Sequence, residues 1–439
     1  MKILIKNVTL LDLMPSFSVR PEMDVLIENG QIRKVEKGLC EQAEKIIDAK
    51  DKYLIAGNVC SHHHYYSGLS RGMLISSGPQ TDLIQILKEW WWRLDRALDE
   101  EAVYYSSLIC SIDAVKSGCT SVVDHHASPS FINGSLDIIK KGMKEVGIRG
   151  VTCYEVTDRN EGEKEVREGI DENIRFFFST ENDPLVRGMI GAHAPFTLPE
   201  YAMEGLEDAV DRTKAGIHIH VAEDRYDQVY SHHFYNKDII KRLDDHNLLR
   251  DNSLLVHGLY LSDEEIDLLN ERGCFFAHNP RSNMNNMAGY NTKLDRIKKL
   301  VIGTDGCGAD MFEELKIGFF KHRDAKGPFW PSDFVSALER GNELVSSAFG
   351  GEIKTGQIKE GYKADLVILD YNAPTPVKNE NLATHFVWGM SSQNVESVII
   401  DGNLVMEDRK MCFLDEKEIY RKAREVAEKV WKRADKIRS

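Results

Sequence analysis

Between residues 53 and 303 the chain repeats one pattern, a short apolar run followed by a longer stretch of helical periodicity. Eight runs can be read: Tyr53–Cys60, Thr120–Asp124, Arg149–Tyr154, Val186–Ala192, Gly216–Val221, Leu254–Val256, Cys274–Ala277 and Leu300–Gly303. Buried strands alternating with helices are the mark of βα units on a parallel sheet. Eight units over about 250 residues match the extent of a (β/α)₈ barrel. The helical stretches carry their own punctuation. Ser262-Asp263-Glu264-Glu265 has the Ser-x-x-Glu pattern of a capping box, and Gly273 stands where a helix C-terminal glycine belongs.

The two chain ends read differently. Residues 2–12 and 23–36 alternate like strands, with Asn29-Gly30 between Ile27 and Ile32 as a two-residue hairpin turn. Residues 364–369 form an apolar run, and residues 395–400 and 403–406 flank Asp401-Gly402 in a second hairpin of the same kind. Neither piece has core enough alone, so they should combine. The expected fold is α/β, a (β/α)₈ TIM-like barrel with a small β-sandwich built from both chain ends. Residues 1–57 and 351–412 would supply the sandwich, 58–350 the barrel and 413–439 a C-terminal helix. In that helix Ile419, Val426, Val430, Trp431 and Ile437 fall at helical spacing and predict a docked face, with contacts between subunits as a second use.

Composition narrows the classes of function. The 439 residues include 70 acidic and 56 basic ones, for a net charge of −14 without a basic stripe, which argues against nucleic acid and anionic membranes as partners. No apolar run approaches the ~18 residues of a membrane span, and the N-terminus lacks a signal-peptide core. Eight cysteines are scattered without a Cys-x-x-Cys pair, so reduced core thiols in a cytoplasmic protein are expected. No Gly-x-Gly-x-x-Gly follows a strand, which removes a dinucleotide oxidoreductase.

Barrel enzymes carry their chemistry at the C-terminal ends of the strands. There the chain places His62 and His64, then His220 with Glu223 three residues on, His257, His278 and Asp305. In an extended strand His62 and His64 share a face while His63 looks away. A single strand histidine is ordinarily a hydrogen-bonded core residue, the reading given to His218, His246, His322 and His385. Several strands ending in imidazole or carboxylate at one level point instead to a metal. His62, His64, His220 and Asp305 would be its ligands, leaving a position open for water. Strand 4 has no lysine at its end, which favours one ion over two. Zinc is the first expectation and iron the second. Glu223 and His257, with Asp305, are the catalytic candidates. Arg71, Trp92, His125, His193, His278, Arg281 and Asn283 are candidates for binding substrate. Trp90-Trp91-Trp92 should place one indole in the core and another on the pocket wall.

The His-x-His, the His220-x-x-Glu223 pair, His257, the run His278 to Asn283 and Gly303-Thr304-Asp305 together resemble the amidohydrolase superfamily. The match is to the branch with guanine deaminase, cytosine deaminase and the triazine hydrolases, and residues 361–367 are similar to its closing motif. Residues 67–73, 91–100, 124–129 and 281–286 look like the SsnA-type aminohydrolases. The sequence departs at Ala56-Gly57, where Pro-Gly is usual, and at His63 inside the His-x-His. The resemblance implies hydrolytic deamination of a purine-like or purine-derived nitrogen heterocycle by a homo-oligomeric enzyme. Opening of a cyclic amide or ureide is the alternative. A non-catalytic metal-binding accessory to a selenium or molybdenum enzyme is a third reading, against which the intact Glu223 and Asp305 argue.

Overall fold

The computed structural model describes residues 2–438. Five strands open the chain: β1 (Lys2–Asp12), β2 (Ser18–Glu28), β3 (Gln31–Glu36), β4 (Lys45–Asp48) and β5 (Tyr53–Ala56). The middle holds β6 (Asn58–His63), β7 (Cys119–His126), β8 (Arg149–Tyr154), β9 (Val186–Gly188), β10 (Ile190–Ala192), β11 (Ile217–Val221), β12 (Leu254–His257), β13 (Phe275–His278) and β14 (Leu300–Ile302). Strands β15 (Leu366–Leu369), β16 (Val395–Ile400), β17 (Asn403–Glu407) and β18 (Lys410–Met411) follow.

The middle strands are all parallel, in the orders β6-β7-β8-β9 and β10-β11-β12-β13-β14. A bridge from Val156 to Ala192 joins the two runs on one side. On the other side His63 bridges to Asp305, and the His62 carbonyl accepts from the amides of Thr304 (2.9 Å) and Asp305 (3.1 Å). With β9 and β10 as one strand interrupted at Met189, the ring is a (β/α)₈ barrel. The first apolar run, read as one strand from Tyr53 to Cys60, divides at Gly57. Tyr53–Ala56 pairs with β1 and β15 in the end sheet, and only Asn58–His63 enters the barrel. A Cβ on Gly57 would lie 2.1 Å from the Thr120 side chain, so this crossing needs glycine.

The two ends meet as expected, and their layers are continuous. Nine strands run β18-β17-β16-β15-β5-β1-β2-β3, with β4 also on β1. β1 is the branch, parallel to β4 along its first half and to β5 along its second. Ile3, Ile5, Val25, Ile27, Leu366 and Ile399 share one core there. Both hairpin turns hold the left-handed pair their sequences call for, Asn29 and Gly30 at φ 52° and 77°, Asp401 and Gly402 at 48° and 72°. The capping box of Ser262 and Glu265 forms, with Gly273 left-handed at the helix end. The last helix, Glu416–Ala434, buries Ala423, Val426, Val430 and Ala434 and docks on the helix Glu100–Lys116. Its Trp431 indole donates to the Leu69 carbonyl at 2.8 Å. All eight cysteines are free, but Cys40, Cys307 and Cys412 are exposed, so the expectation of core thiols holds for five. Among the described residues no helix is long and apolar enough to cross a membrane.

Candidate active site

Strand alternation turns His62 and His64 to the barrel mouth and His63 outward, where its Nδ1–H donates to the Asp305 carbonyl at 2.5 Å. The inward pair is pinned by its Nδ1 atoms. His62 Nδ1 shares a hydrogen bond with His218 Nε2 (2.8 Å), and His64 Nδ1–H donates to the His125 carbonyl (2.6 Å). This leaves both Nε2 atoms facing the mouth. His220 Nε2 lies 3.4 Å from His62 Nε2, and Asp305 Oδ1 lies 2.9 Å from His64 Nε2 and 3.8 Å from His62 Nε2. His62, His64 and His220 can converge on one ion, as can His62, His257 and Asp305.

The electrostatics fit that use. Burial depresses His62 and His220 well below the usual imidazole range, keeping them neutral. Burial also opposes charge on His64, but the Asp305 carboxylate outweighs it and lifts the imidazole to about 9. Burial would raise Asp305, yet His64, His62 and His257 hold it well below the ordinary carboxylate range. Three imidazoles and an ionised carboxylate are the donor set of a zinc-type site.

Beside this quartet stand the acid/base candidates. Ala222, His257 and Asp305 all adopt left-handed backbone, at φ 46°, 70° and 55°, just at or beyond their strand ends. Such positions are costly for residues other than glycine and bend the chain into the mouth. Glu223 Oε2 is 3.5 Å from His257 Nε2, and its Oε1 accepts a long bond from Asn286 Nδ2 (3.5 Å). Burial raises the Glu223 carboxyl, His257 opposes this and the Asp305 charge adds to it. His257 Nε2 is also 3.7 Å from Asp305 Oδ2, which accepts from Ser282 Oγ at 2.6 Å.

A cavity of about 50 Å³ sits over these groups. Its floor is His64, His220, Glu223, His257 and Asp305, and its walls include Tyr66, Leu87, Trp91, Trp92, Glu155, His193, Asn286 and Cys307. Of the seven residues expected to bind substrate, Trp92 and His193 line it. His193 is oriented by Thr197 Oγ1 at 2.8 Å, and Trp92 packs edge-on to it. The other five are elsewhere. Arg71 is exposed and paired with Asp113 at 2.5 Å. Arg281 is tied to Glu314, Glu313 and the Gly308 carbonyl. Asn283 Oδ1 accepts from His257 Nδ1 at 2.8 Å, so it orients that imidazole. His125 lies below the cavity, donating from Nε2 to the carbonyls of Ala192 and His218. His278 is buried beside Tyr290. His322 and His385 are buried and bonded, as read from sequence, whereas His246 sits nearer the surface on Glu200.

Glu155 was overlooked by sequence reasoning. It follows Tyr154 at the end of β8, a strand end like those that carry His62, His220 and His257, and it is 4% exposed. Ser282, Asn286 and Trp91 were also missed as site residues. The signal for the first two was the polar run after His278, whose helical register on Pro280–Asn285 turns Ser282 and Asn286 to one face. The third was already visible in the tryptophan triplet.

The amidohydrolase family model matches residues 53–405. A 5'-deoxyadenosine deaminase from Methanopyrus kandleri is 31% identical over 402 residues, covering 89% of this chain and 90% of the relative. A 5-methylthioadenosine/S-adenosylhomocysteine deaminase from Thermococcus sibiricus is 28% identical over 403 residues, covering 87% and 89%. Among solved structures, a zinc-bound adenosine deaminase from Xanthomonas campestris superposes with a TM-score of 0.85 at 21% identity, over 98% of each chain. A zinc complex of atrazine chlorohydrolase from Arthrobacter aurescens does so at 0.82 and 19%, over 97% of this chain and 100% of the other. With the family model spanning most of its length and a relative above 30% identity along nearly all of it, the chain belongs to the amidohydrolase family.

Proposed function

We propose that this chain is a metal-dependent aminohydrolase that releases ammonia from a ring carbon of a purine-like or purine-derived heterocycle. As an amidohydrolase it is a hydrolase of carbon–nitrogen bonds; the deaminase reading rests on one observation above the others. Glu223, a buried carboxyl pushed above its usual range by desolvation, shares the cavity floor with Asp305, which the neighbouring imidazoles hold below its usual range, so the two carboxyls differ in their hold on a proton. Carboxyls whose environments push their pKa values apart are how a site divides acid from base. Relatives named as deaminases of adenine nucleosides support the choice of a nitrogen heterocycle.

His62, His64, His220 and Asp305 would hold one divalent ion, zinc before iron. Bound there, the ion supplies Lewis-acid chemistry and lowers the pKa of water toward neutrality. Asp305 takes the proton of the attacking water at Oδ2, with Ser282 holding that oxygen in place. His257, its Nδ1 fixed by Asn283, orients the water from Nε2. Glu223 gives its proton to a ring nitrogen, and the proton that Asp305 took from the water then leaves with the amine as ammonia. Trp91 and Trp92 close the cavity against bulk solvent. Eight free cysteines favour a reducing, cytoplasmic setting, and a homo-oligomer is expected.

The test pairs metal analysis of purified protein with ammonia release over a panel of aminopurines, pterins and oxidised purines. One ion per chain and ammonia from one ring system is the expected result. Ring-opened products carrying a new carboxylate without ammonia would replace deamination with amide hydrolysis.

A further inference from the structure

A second cavity, of about 370 Å³, lies at the barrel end away from the mouth. The helix Gly341–Ala348 and the segment 351–357 wall it on one side, Met14 and Tyr362 beside the end sheet on the other. Its position follows from Arg340, whose Nη1 donates at 2.7 Å to the carbonyl of Leu300, the first residue of β14. Glu339, which ends the helix Pro331–Glu339, lines this cavity and is 2% exposed. Neither of its carboxyl oxygens has a hydrogen-bond partner among the described residues. Burial pushes the carboxyl up to about 8, and no neighbouring charge offsets that rise. The same helix packs on β6, where the fully buried Asn58 also has both polar side-chain atoms unpartnered. Buried polar groups are ordinarily bonded, and a desolvated carboxyl without donors is costly. At the wall of a cavity, such a carboxyl points to an occupant that brings the donors.

We propose that this cavity binds a small organic cation of the amidinium or guanidinium class, whose paired N–H groups are accepted by the two oxygens of Glu339. Two free oxygens on one carboxylate match the planar fork of such a cation, and the bonds that result are charge-assisted. The remaining charged lining residues among those described are Glu343 and Lys354, both exposed, so the lining carries a net negative charge. A phosphate or carboxylate would meet two acidic groups with one lysine to balance them. A divalent ion would need several oxygen ligands, and no three His, Cys, Asp or Glu donors gather here among the described residues. Asn342 and Thr355 add polar wall around the carboxyl: Asn342 Nδ2 donates to the Glu339 carbonyl at 3.2 Å, and Thr355 Oγ1 to the Asn342 carbonyl at 3.4 Å. The site shares no lining residue with the amidohydrolase cavity and stands whether or not the deaminase reading does.

The experiment titrates the purified, metal-containing protein by calorimetry at about pH 9, above the raised carboxyl. The probes are acetamidinium and methylguanidinium, set against tetramethylammonium and potassium, which carry the same charge without N–H groups. Expected is saturable binding of the two N–H cations at a single site, with a Kd of about 1 mM or below, and none of the other two over the same range. Glu339→Gln should weaken that binding by at least about 10-fold, and Glu339→Leu should abolish it. Neither change should lower the unfolding midpoint or the metal content, because each removes an unpaired buried carboxyl. No saturable binding to the wild type, equal binding of tetramethylammonium or potassium, or an affinity that survives Glu339→Leu would overturn the proposal. The wild-type comparison among probes decides the matter even if a variant fails to fold.

Discussion

His62 depends on a residue that touches neither ion nor cavity. His218 Nε2 bonds its Nδ1 at 2.8 Å inside the barrel, which fixes the ring so that Nε2 faces the other donors. Partners of this kind are worth about 10–100-fold in metal affinity. His218→Leu should therefore weaken zinc by that factor in competition with a chelator while the far-ultraviolet spectrum stays unchanged; unaltered affinity would show that packing alone orients His62. Glu223→Gln should behave oppositely, retaining one ion per chain and losing at least ~10² in turnover. Wild-type ammonia release from that variant would remove Glu223 from the acid role. That His62, His64, His220 and Asp305 gather at the barrel mouth was legible in the sequence because strand ends and two-residue alternation determine where such side chains point. Arg71, Arg281 and Asn283 were not, since they lie off the strands and pair with Asp113, Glu314 and His257, partners far away in sequence. Glu155 was legible in principle, at a strand end like the others, but a carboxylate after an apolar run draws less notice than a histidine.

β11 carries His220, and Glu223 lies three residues further along the chain, so its placement governs the proposed ligand and the proposed acid together. It begins after Gly216, where an added Cβ would lie 2.0 Å from the Asn252 carbonyl oxygen. Backbone cannot yield there as a flexible side chain could. Gly216→Ala should cost about 1–3 kcal/mol, as overpacked sites do, seen as a lower unfolding midpoint with reduced metal retention. A variant as stable as wild type would mean that the strand shifts freely, and with it the site. At this scale periodicity exposed all eight barrel strands, the hairpins and the closing helix, because each rests on local spacing. The division of the first run at Gly57 and the branch at β1 depend on which distant strand is the neighbour, and no local pattern encodes that. The i→i+5 turn Leu87–Trp91, which sets Leu87 and Trp91 over the cavity, was invisible for the same reason.

The barrel and the end sheet are fastened by a buried ion pair. Arg149 on β8, fully buried, gives two bonds to Asp365 just before β15, at 2.8 and 3.1 Å, and reaches Asp401 at 3.5 Å. Its third bond goes to the Pro184 carbonyl ahead of β9. Asp365 in turn accepts the Asp401 amide at 2.7 Å, so the hairpin turn of the sheet is held through the same carboxylate. Removing one partner strands a charge away from water. Arg149→Met should cost about 3–5 kcal/mol, whereas replacing both partners by apolar residues should cost less than the sum of the single changes. The unfolding curve separates two accounts of what the pair does. If it couples the two parts, Arg149→Met will split the denaturant transition, with the end sheet melting first and metal still bound to the barrel. If the pair only fills space, the single transition will move intact. The amidohydrolase site opens at the C-terminal ends of the strands, and Arg149 begins β8 at the opposite end. Metal content and ammonia release measured below the first transition should therefore match those of the wild type.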